Sequence, residues 1–295
     1  MKSKEIVQSK ESKSVSLVSL EYIFHDSFIF RFGNQANLLF DYWKEDADRF
    51  QPRYSEQSIP KCLDSLDRAI PLYIFISHHH KDHYNQGIFR WINEFKHGYV
   101  IISKDVAKFS RHLIVAPELE GRIIVLRPGD LWKDDFLEVH AFGSTDIGNS
   151  YGIRIHGSDC RIFHAGDLNE WIWLDESTEK EVRQMEGNYK KILSDIKQWS
   201  DSWWLAMFPV DSRIGREYWR GAKIFLAQFN VEHFFPMHFE LGETEQERAR
   251  LKKDARAFEL FASENCHEYI ALQYPHDKWA SILPTLKGQE EDPRQ

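Results

Sequence analysis

Within the six residues His78-His79-His80-Lys81-Asp82-His83, four side chains, His78, His80, Asp82 and His83, stand at spacings that metal chemistry can use. The run before them, Tyr73-Ile-Phe-Ile76, is β-branched and aromatic and reads as a buried strand, so Ser77 opens the loop at its C-terminal end. Side chains leaving a strand alternate, which puts His78 and His80 on one side and His79 on the other. Two imidazoles can then grip one ion. Asp82 and His83 come after the chain has changed direction and can serve a second ion a few ångströms away. Imidazole with carboxylate suits zinc, or less selectively iron or manganese, and no thiolate stands nearby to favour a structural zinc site.

The pattern His78-x-His80-x-Asp82-His83 resembles the HxHxDH signature of the metallo-β-lactamase fold superfamily, and further runs resemble it in order from about residue 20 to 240. Arg161-Ile-Phe-His-Ala-Gly-Asp167 is similar to a strand ending in the family's metal-bridging Asp, and His233-Phe-Phe-Pro-Met-His238 to one ending in a His of the second site. Tyr22-Ile-Phe-His-Asp-Ser-Phe28 and Leu38-Leu-Phe-Asp41 resemble the opening of the branch that includes the ascorbate-phosphate lactonase. The resemblance implies an α/β fold, a four-layer αββα sandwich of two mixed β-sheets flanked by helices with metals at one edge. It implies the ligand set His78, His80, Asp82, His83, Asp167 and His238, and one or two Zn2+ per chain, with Mn2+ or Fe2+ open. It further implies hydrolysis by a metal-activated water or hydroxide that Asp82 orients and deprotonates.

The segment Gly143-Ser144-Thr145-Asp146 departs from the family pattern. Many relatives place a histidine here as third ligand of the first metal, where this chain has Ser144. Three outcomes are open: Asp146 supplies an oxygen ligand, water fills the gap, or the first site binds weakly. His140 is a further donor to consider. Diiron relatives carry an acidic residue where His80 stands, so the resemblance favours hydrolysis. By the same resemblance His25 lies close to the metal pocket, and Asp211, Arg213 and Tyr218 are candidate substrate contacts. Asp41 is a candidate to orient a ligating imidazole, because such imidazoles usually donate their other N–H to a carboxylate or carbonyl.

Periodicity supplies the elements that must position these groups. Strands are expected over Leu20–Phe24, Phe28–Phe32, Asn37–Asp41, Tyr99–Ile102, Ile123–Leu126, Phe136–Phe142, Ser150–Ile155, Cys160–His164, Trp204–Pro209 and His233–Pro236. Helices are expected over Asn85–Phe95, from a cap at Asp105 to His112, over Thr178–Trp199 and Glu217–Phe229, and over 243–264. Residues 1–13 are polar, carry no apolar leader and are expected to be disordered; 14–285 are expected to form one domain and 286–295 a tail.

Composition bounds the function. With 295 residues, 42% of them hydrophobic, the chain can bury a large core. A net charge of −8, from 46 acidic against 38 basic residues, disfavours a general nucleic-acid surface. Three scattered cysteines, Cys62, Cys160 and Cys266, read as reduced, which points to the cytoplasm, and no run approaches the ~20 apolar residues of a membrane span. A small-molecule substrate with an ester, lactone or phosphodiester bond is the expectation. The alternatives are a nuclease or RNA-processing hydrolase, and a degenerate, non-catalytic metal-binding protein.

Overall fold

Strand β4 (Leu72–Ile76) is buried at every position, which requires cover on both faces of its sheet. Tyr73 and Phe75 point into a core shared with the second sheet, while Ile74 and Ile76 point into a separate cluster under the outer helices. The computed structural model that shows this describes residues 17–45, 58–262 and 266–284. The expected disordered segment 1–13 and the tail 286–295 lie outside the described residues.

Among the described residues, two seven-stranded sheets face each other. The first has the order β14 (Lys278–Ile282), β1 (Leu17–Phe24), β2 (Ser27–Phe32), β3 (Ala36–Phe40), β4, β5 (Gly98–Ser103) and β6 (Ile123–Leu126). The second has the order β13 (Cys266–Tyr269), β12 (Asn230–Met237), β11 (Ser202–Pro209), β10 (Arg161–His164), β9 (Ser150–Ile155), β8 (Leu137–Phe142) and β7 (Leu131–Lys133). Each sheet is mixed: pairing is antiparallel from β14 to β3 and from β10 to β7, and parallel from β3 to β6 and from β10 to β13. Helices cover the outer faces, giving the αββα sandwich expected from the sequence. No helix among the described residues is long and apolar enough to cross a membrane.

The parallel halves matter for function. In open α/β sheets, ligands bind beyond the carboxyl ends of parallel strands, and β3, β4, β10, β11 and β12 release Asp41, His78–His83, Asp167, Asp211 and His238 at those ends.

Several elements differ from expectation for local reasons. The helix expected over Asn85–Phe95 is one turn, Ile88–Trp91, continued as a 3-10 turn over Ile92–Glu94. Asn85 holds the preceding residues as a turn, accepting the Gly87 N–H and donating to the Trp43 carbonyl. Asp105 is not a cap. The helix starts at Lys104, and the Asp105 carboxylate instead accepts the His79 backbone N–H at 2.9 Å. The helix expected from Glu217 starts at Arg220, since Glu217 has φ 58°. The one expected over 243–264 breaks at buried Phe258, between Glu245–Ala257 and Glu259–Ala262. The long helix Glu179–Trp199 does begin with Thr178, whose side chain and Glu181 form a capping box.

Candidate metal centre

The loop after β4 is fixed by one buried carboxylate. Asp41 Oδ1 accepts the Ser77 N–H at 2.7 Å, and its Oδ2 accepts the Ser77 hydroxyl at 2.6 Å and faces His83 Nδ1 at 2.9 Å. Although burial pushes its pKa up, His164 and His83 outweigh that and hold Asp41 below the usual carboxylate range. With Nδ1–H committed to Asp41, the His83 lone pair is at Nε2 and points into the site. Ser77 Oγ in turn meets His78 Nδ1 at 2.9 Å, turning that ring's Nε2 inward too.

Two glycines let neighbouring loops close on this one. A Cβ at Gly148, with φ +80°, would lie 2.2 Å from the Ser77 carbonyl oxygen, and one at Gly166, with φ +52°, would lie 2.7 Å from Ser77 Cβ. Gly166 thereby delivers Asp167 between two sets of imidazoles. Its Oδ2 lies 3.3 Å from His78 Nε2, and its Oδ1 lies 3.2 Å from His83 Nε2 and 3.3 Å from His238 Nε2.

Two groups of ligand-type atoms result, the atoms of each lying within 4.8 Å of one another: His78, His80, Asp146 and Asp167, and His25, Asp26, His83 and His238. In the first, His80 is half exposed, with Nδ1 3.5 Å from Asp146 Oδ2. Ser144 Oγ accepts the Asp146 N–H at 3.3 Å, setting the turn that presents Asp146. His140 is in neither group, since its ring stacks on Phe142 and lies against Trp199. Asp82, which the motif assigns to the second ion, is in neither group either; its Oδ2 is 3.7 Å from His25 Nε2 and it keeps 17% exposure.

His238, with φ 69°, is braced from β11. Its Nδ1 lies 2.9 Å from Asp211 Oδ2, and Arg213 bonds the same carboxylate. Asp211, expected as a substrate contact, is thus occupied by His238 and Arg213. Burial raises its pKa, but His238 and Arg213 bring it down to about 2. Tyr218 donates its hydroxyl to the Asp254 carbonyl at 2.8 Å. His25 is fully buried in the β1–β2 turn.

These residues fit a metal ion on an observation of the structure itself. The buried Nε2 atoms of His25, His78, His83 and His238, both Asp26 carboxylate oxygens and Asp167 Oδ1 have no hydrogen-bond partner, although orphaned buried polar atoms are costly. Two donors bound at ~2.1 Å to one ion sit roughly 3.0–3.4 Å apart for octahedral to tetrahedral angles. The contacts of 3.1 to 3.3 Å among His78, His83, His238, Asp26 and Asp167 match that spacing better than they match hydrogen bonds.

The centre opens on a cavity of about 450 Å³, with Asp146, Asp167 and His238 on its floor and Trp171, Trp173 and Arg213 on its walls. Trp171 is locked by donating Nε1–H to the Asp167 carbonyl at 2.8 Å. Sequence reasoning missed Asp26. A single Asp between two strands carries no signal beyond that of an ordinary turn former.

No protein-family model matches the chain, and no curated protein does. Solved structures do. A diiron β-hydroxylase, CmlA, from Streptomyces venezuelae superposes with a TM-score of 0.58 at 12% identity, over 92% of this chain and 55% of that one. A metallo-β-lactamase fold protein, YhfI, from Bacillus subtilis superposes with a TM-score of 0.53 at 10% identity, over 89% of this chain and 99% of that one. The chain has the metallo-β-lactamase fold. It spans about half the length of the hydroxylase. In this metallo-β-lactamase fold the two ligand groups lie at one edge of the sandwich, past the carboxyl ends of β4, β10 and β12.

A pH effect follows from the carboxylates. Burial lowers the pKa of His238, but Asp26 and Asp167 overcome it and raise it to about 9; burial likewise opposes, and Asp167 and Asp26 outweigh, for His83, which stands well above the usual imidazole range. In the metal-free protein the stability that protonated His238 contributes is complete below about pH 6.5 and is lost as pH rises through about 9. A metal ion needs the same lone pairs. Loading metal-stripped protein at pH 7.5 is therefore expected to release about two protons, seen by calorimetry in buffers of different ionisation enthalpy, and affinity is expected to weaken as pH falls. Binding without proton release would contradict the assignment of these two rings.

Proposed function

We propose that the chain is a metal-dependent hydrolase that cleaves an ester, lactone or phosphodiester bond of a small molecule. The observation that carries this is Asp167, one carboxylate facing imidazoles of two four-residue ligand groups at the floor of a cavity of about 450 Å³. That volume suits a small molecule rather than a polymer. Bound there, divalent metal would lower the pKa of water to near 7 and polarise the scissile bond.

The chain's own residues have separate tasks in this reading. His78, His80, Asp146 and Asp167 would hold one ion, and His83, His238 and Asp167 another, with Asp82 beside it. Asp82 Oδ2 would orient the attacking water and take its proton. Burial raises its pKa, but His83 and His238 outweigh that and keep it below the usual carboxylate value, so it is an acceptor at neutral pH. Trp171 and Trp173 would pack against the substrate's apolar part, while Arg213, 31% exposed and held by Asp211, would face its anionic or carbonyl oxygens. His25 and Tyr218 would act behind this wall. The likeness of the opening strands to the ascorbate-phosphate lactonase branch favours a lactone, and the three free thiols favour a reducing cytoplasm.

The decisive assay is turnover of a phosphodiester and a lactone panel with zinc- or manganese-loaded protein. Chelation is expected to abolish activity, readdition of metal to restore it, and His80→Ala to lower it by about 100-fold or more. Hydrolysis indifferent to chelator would rule out this reading.

A second reading rests on Asp146. Its carboxylate makes the first group oxygen-richer, which raises the claim of iron or manganese, and the hydroxylase of the same fold is diiron. Two irons retained on purification, with oxygen uptake but no hydrolysis, would favour it.

A further inference from the structure

Asp26 lies in the two-residue turn between β1 and β2, completely buried. A carboxylate taken out of water normally recovers its hydration through hydrogen bonds or an adjacent cation. Neither oxygen of Asp26 has a hydrogen-bond partner. Instead three imidazole nitrogens converge on its Oδ2: His83 Nε2 at 3.1 Å, His25 Nε2 at 3.3 Å and His238 Nε2 at 3.9 Å. Two of these rings are anchored from behind through Nδ1, His83 by Asp41 and His238 by Asp211, so each turns an Nε2 lone pair toward the point Asp26 faces.

We infer that Asp26 is itself a metal ligand, giving the second position the set His83, His238, Asp167 and Asp26, with Asp82 left on the open side for water and substrate. This rests on the metal-centre reading above and adds to it a carboxylate from the first hairpin. His25 is a positioning residue in this arrangement rather than a ligand. Its Nδ1 accepts the Glu240 backbone N–H at 3.4 Å, so the neutral ring carries its proton on Nε2, between the carboxylates of Asp26 and Asp82. The turn is held in place: His25 takes φ 58°, a left-handed conformation uncommon outside glycine, and its N–H is tied to the Tyr22 hydroxyl at 2.7 Å. Two carboxylates and two imidazoles form a harder set than the motif alone supplies, one that accommodates Mn2+ or Fe2+ as well as Zn2+.

The test compares metal-stripped wild type, Asp26→Asn and Asp82→Asn, each titrated with Mn2+ by calorimetry, with bound metal counted by elemental analysis and melting followed with and without metal. Wild type is expected to bind two ions. Asp26→Asn is expected to lose about 10- to 100-fold in affinity at one position and keep the other, and to do so more severely than Asp82→Asn. Without metal, Asp26→Asn is expected to melt below wild type at pH 7 but still to fold, because it removes a carboxylate that pairs with the protonated rings of His83 and His238; with metal its gain in melting temperature is expected to be smaller than that of wild type. Two ions bound by Asp26→Asn at wild-type affinity would overturn the inference and leave the metal centre standing. A variant that fails to fold even with metal would overturn it as well, marking Asp26 as structural. Wild type that binds no ion would bring down the proposed function with it.

Discussion

Asp167→Ala is expected to reduce bound metal from two ions to one weakly held ion or none, and to lower turnover by at least about 1,000-fold. The size of the effect follows from placement. Oδ2 serves the His78 side and Oδ1 the His83 and His238 side, so no other side chain among the described residues presents an oxygen at 3.2–3.3 Å to imidazoles of both groups. Each group then keeps its remaining imidazoles and one carboxylate, Asp146 or Asp26, and the shared atom pair that fixes their separation is gone. The variant is also expected to be less stable when metal-free. Burial pushes the Asp167 pKa up, but His83, His238 and His78 drive it well below the usual carboxylate range. A depressed folded pKa contributes stability above the unfolded value, and that contribution is lost as pH falls through the folded value. Wild type and Asp167→Ala should therefore differ in melting temperature at pH 7 and converge in strong acid. Two tightly bound ions in the variant by elemental analysis would remove Asp167 from its place between the sites.

How far the sequence foretold this depends on which residue is considered. The run His78 to His83 stood out because it follows an apolar strand that ends abruptly, where a short polar run must emerge, whereas Asp167 and His238 were singled out by the resemblance of their strands to the family's, since a lone Asp or His after a strand carries no ligand signal of its own. Edge strands gave little signal. Cys266–Tyr269 and Lys278–Ile282 are four and five residues long with no fully buried position, and Leu131–Lys133 is only three residues long. Asp26 was invisible for a different reason. Its burial depends on segments remote in sequence, with Glu240 meeting His25 across 215 positions, and no local pattern encodes that. Asp146 lies between these cases: the sequence offered its carboxylate without placing it, and the Ser144 turn and the Thr145 bonds to Asn169 put it beside His80. Asp211 and Arg213 were readable as polar residues after a strand, but the pairing that spends Asp211 on His238 needed coordinates.

Asp41→Asn isolates what a carboxylate behind the metal ligands does. The substitution keeps shape, and Asn tolerates the left-handed backbone that Asp41 adopts at φ 39°, so the turn itself is not strained. What changes is hydrogen-bond polarity. Asp41 accepts from the Ser77 N–H, the Ser77 hydroxyl and the His83 ring, whereas an amide can accept at one atom only and must turn an NH2 toward the other donors. The Ser77 hydroxyl can rotate, but His83 can relieve the clash only by moving its proton from Nδ1 to Nε2, and Nε2 is the atom that faces Asp26 and Asp167. The ring would then present a proton where a lone pair is required. Metal affinity is expected to fall about 10- to 100-fold, and the metal-free variant to lose about 2–4 kcal/mol of stability for a buried network left unsatisfied. The pH profile separates this from generic damage. Because Asp41 sits below the usual carboxylate range, its contribution exists above that range and disappears as pH drops through its lowered value, so the stability gap between wild type and variant should close in acid. A gap of constant size down to about pH 2 would mean that packing, not the charge on Asp41, holds the loop of His78 to His83 in place.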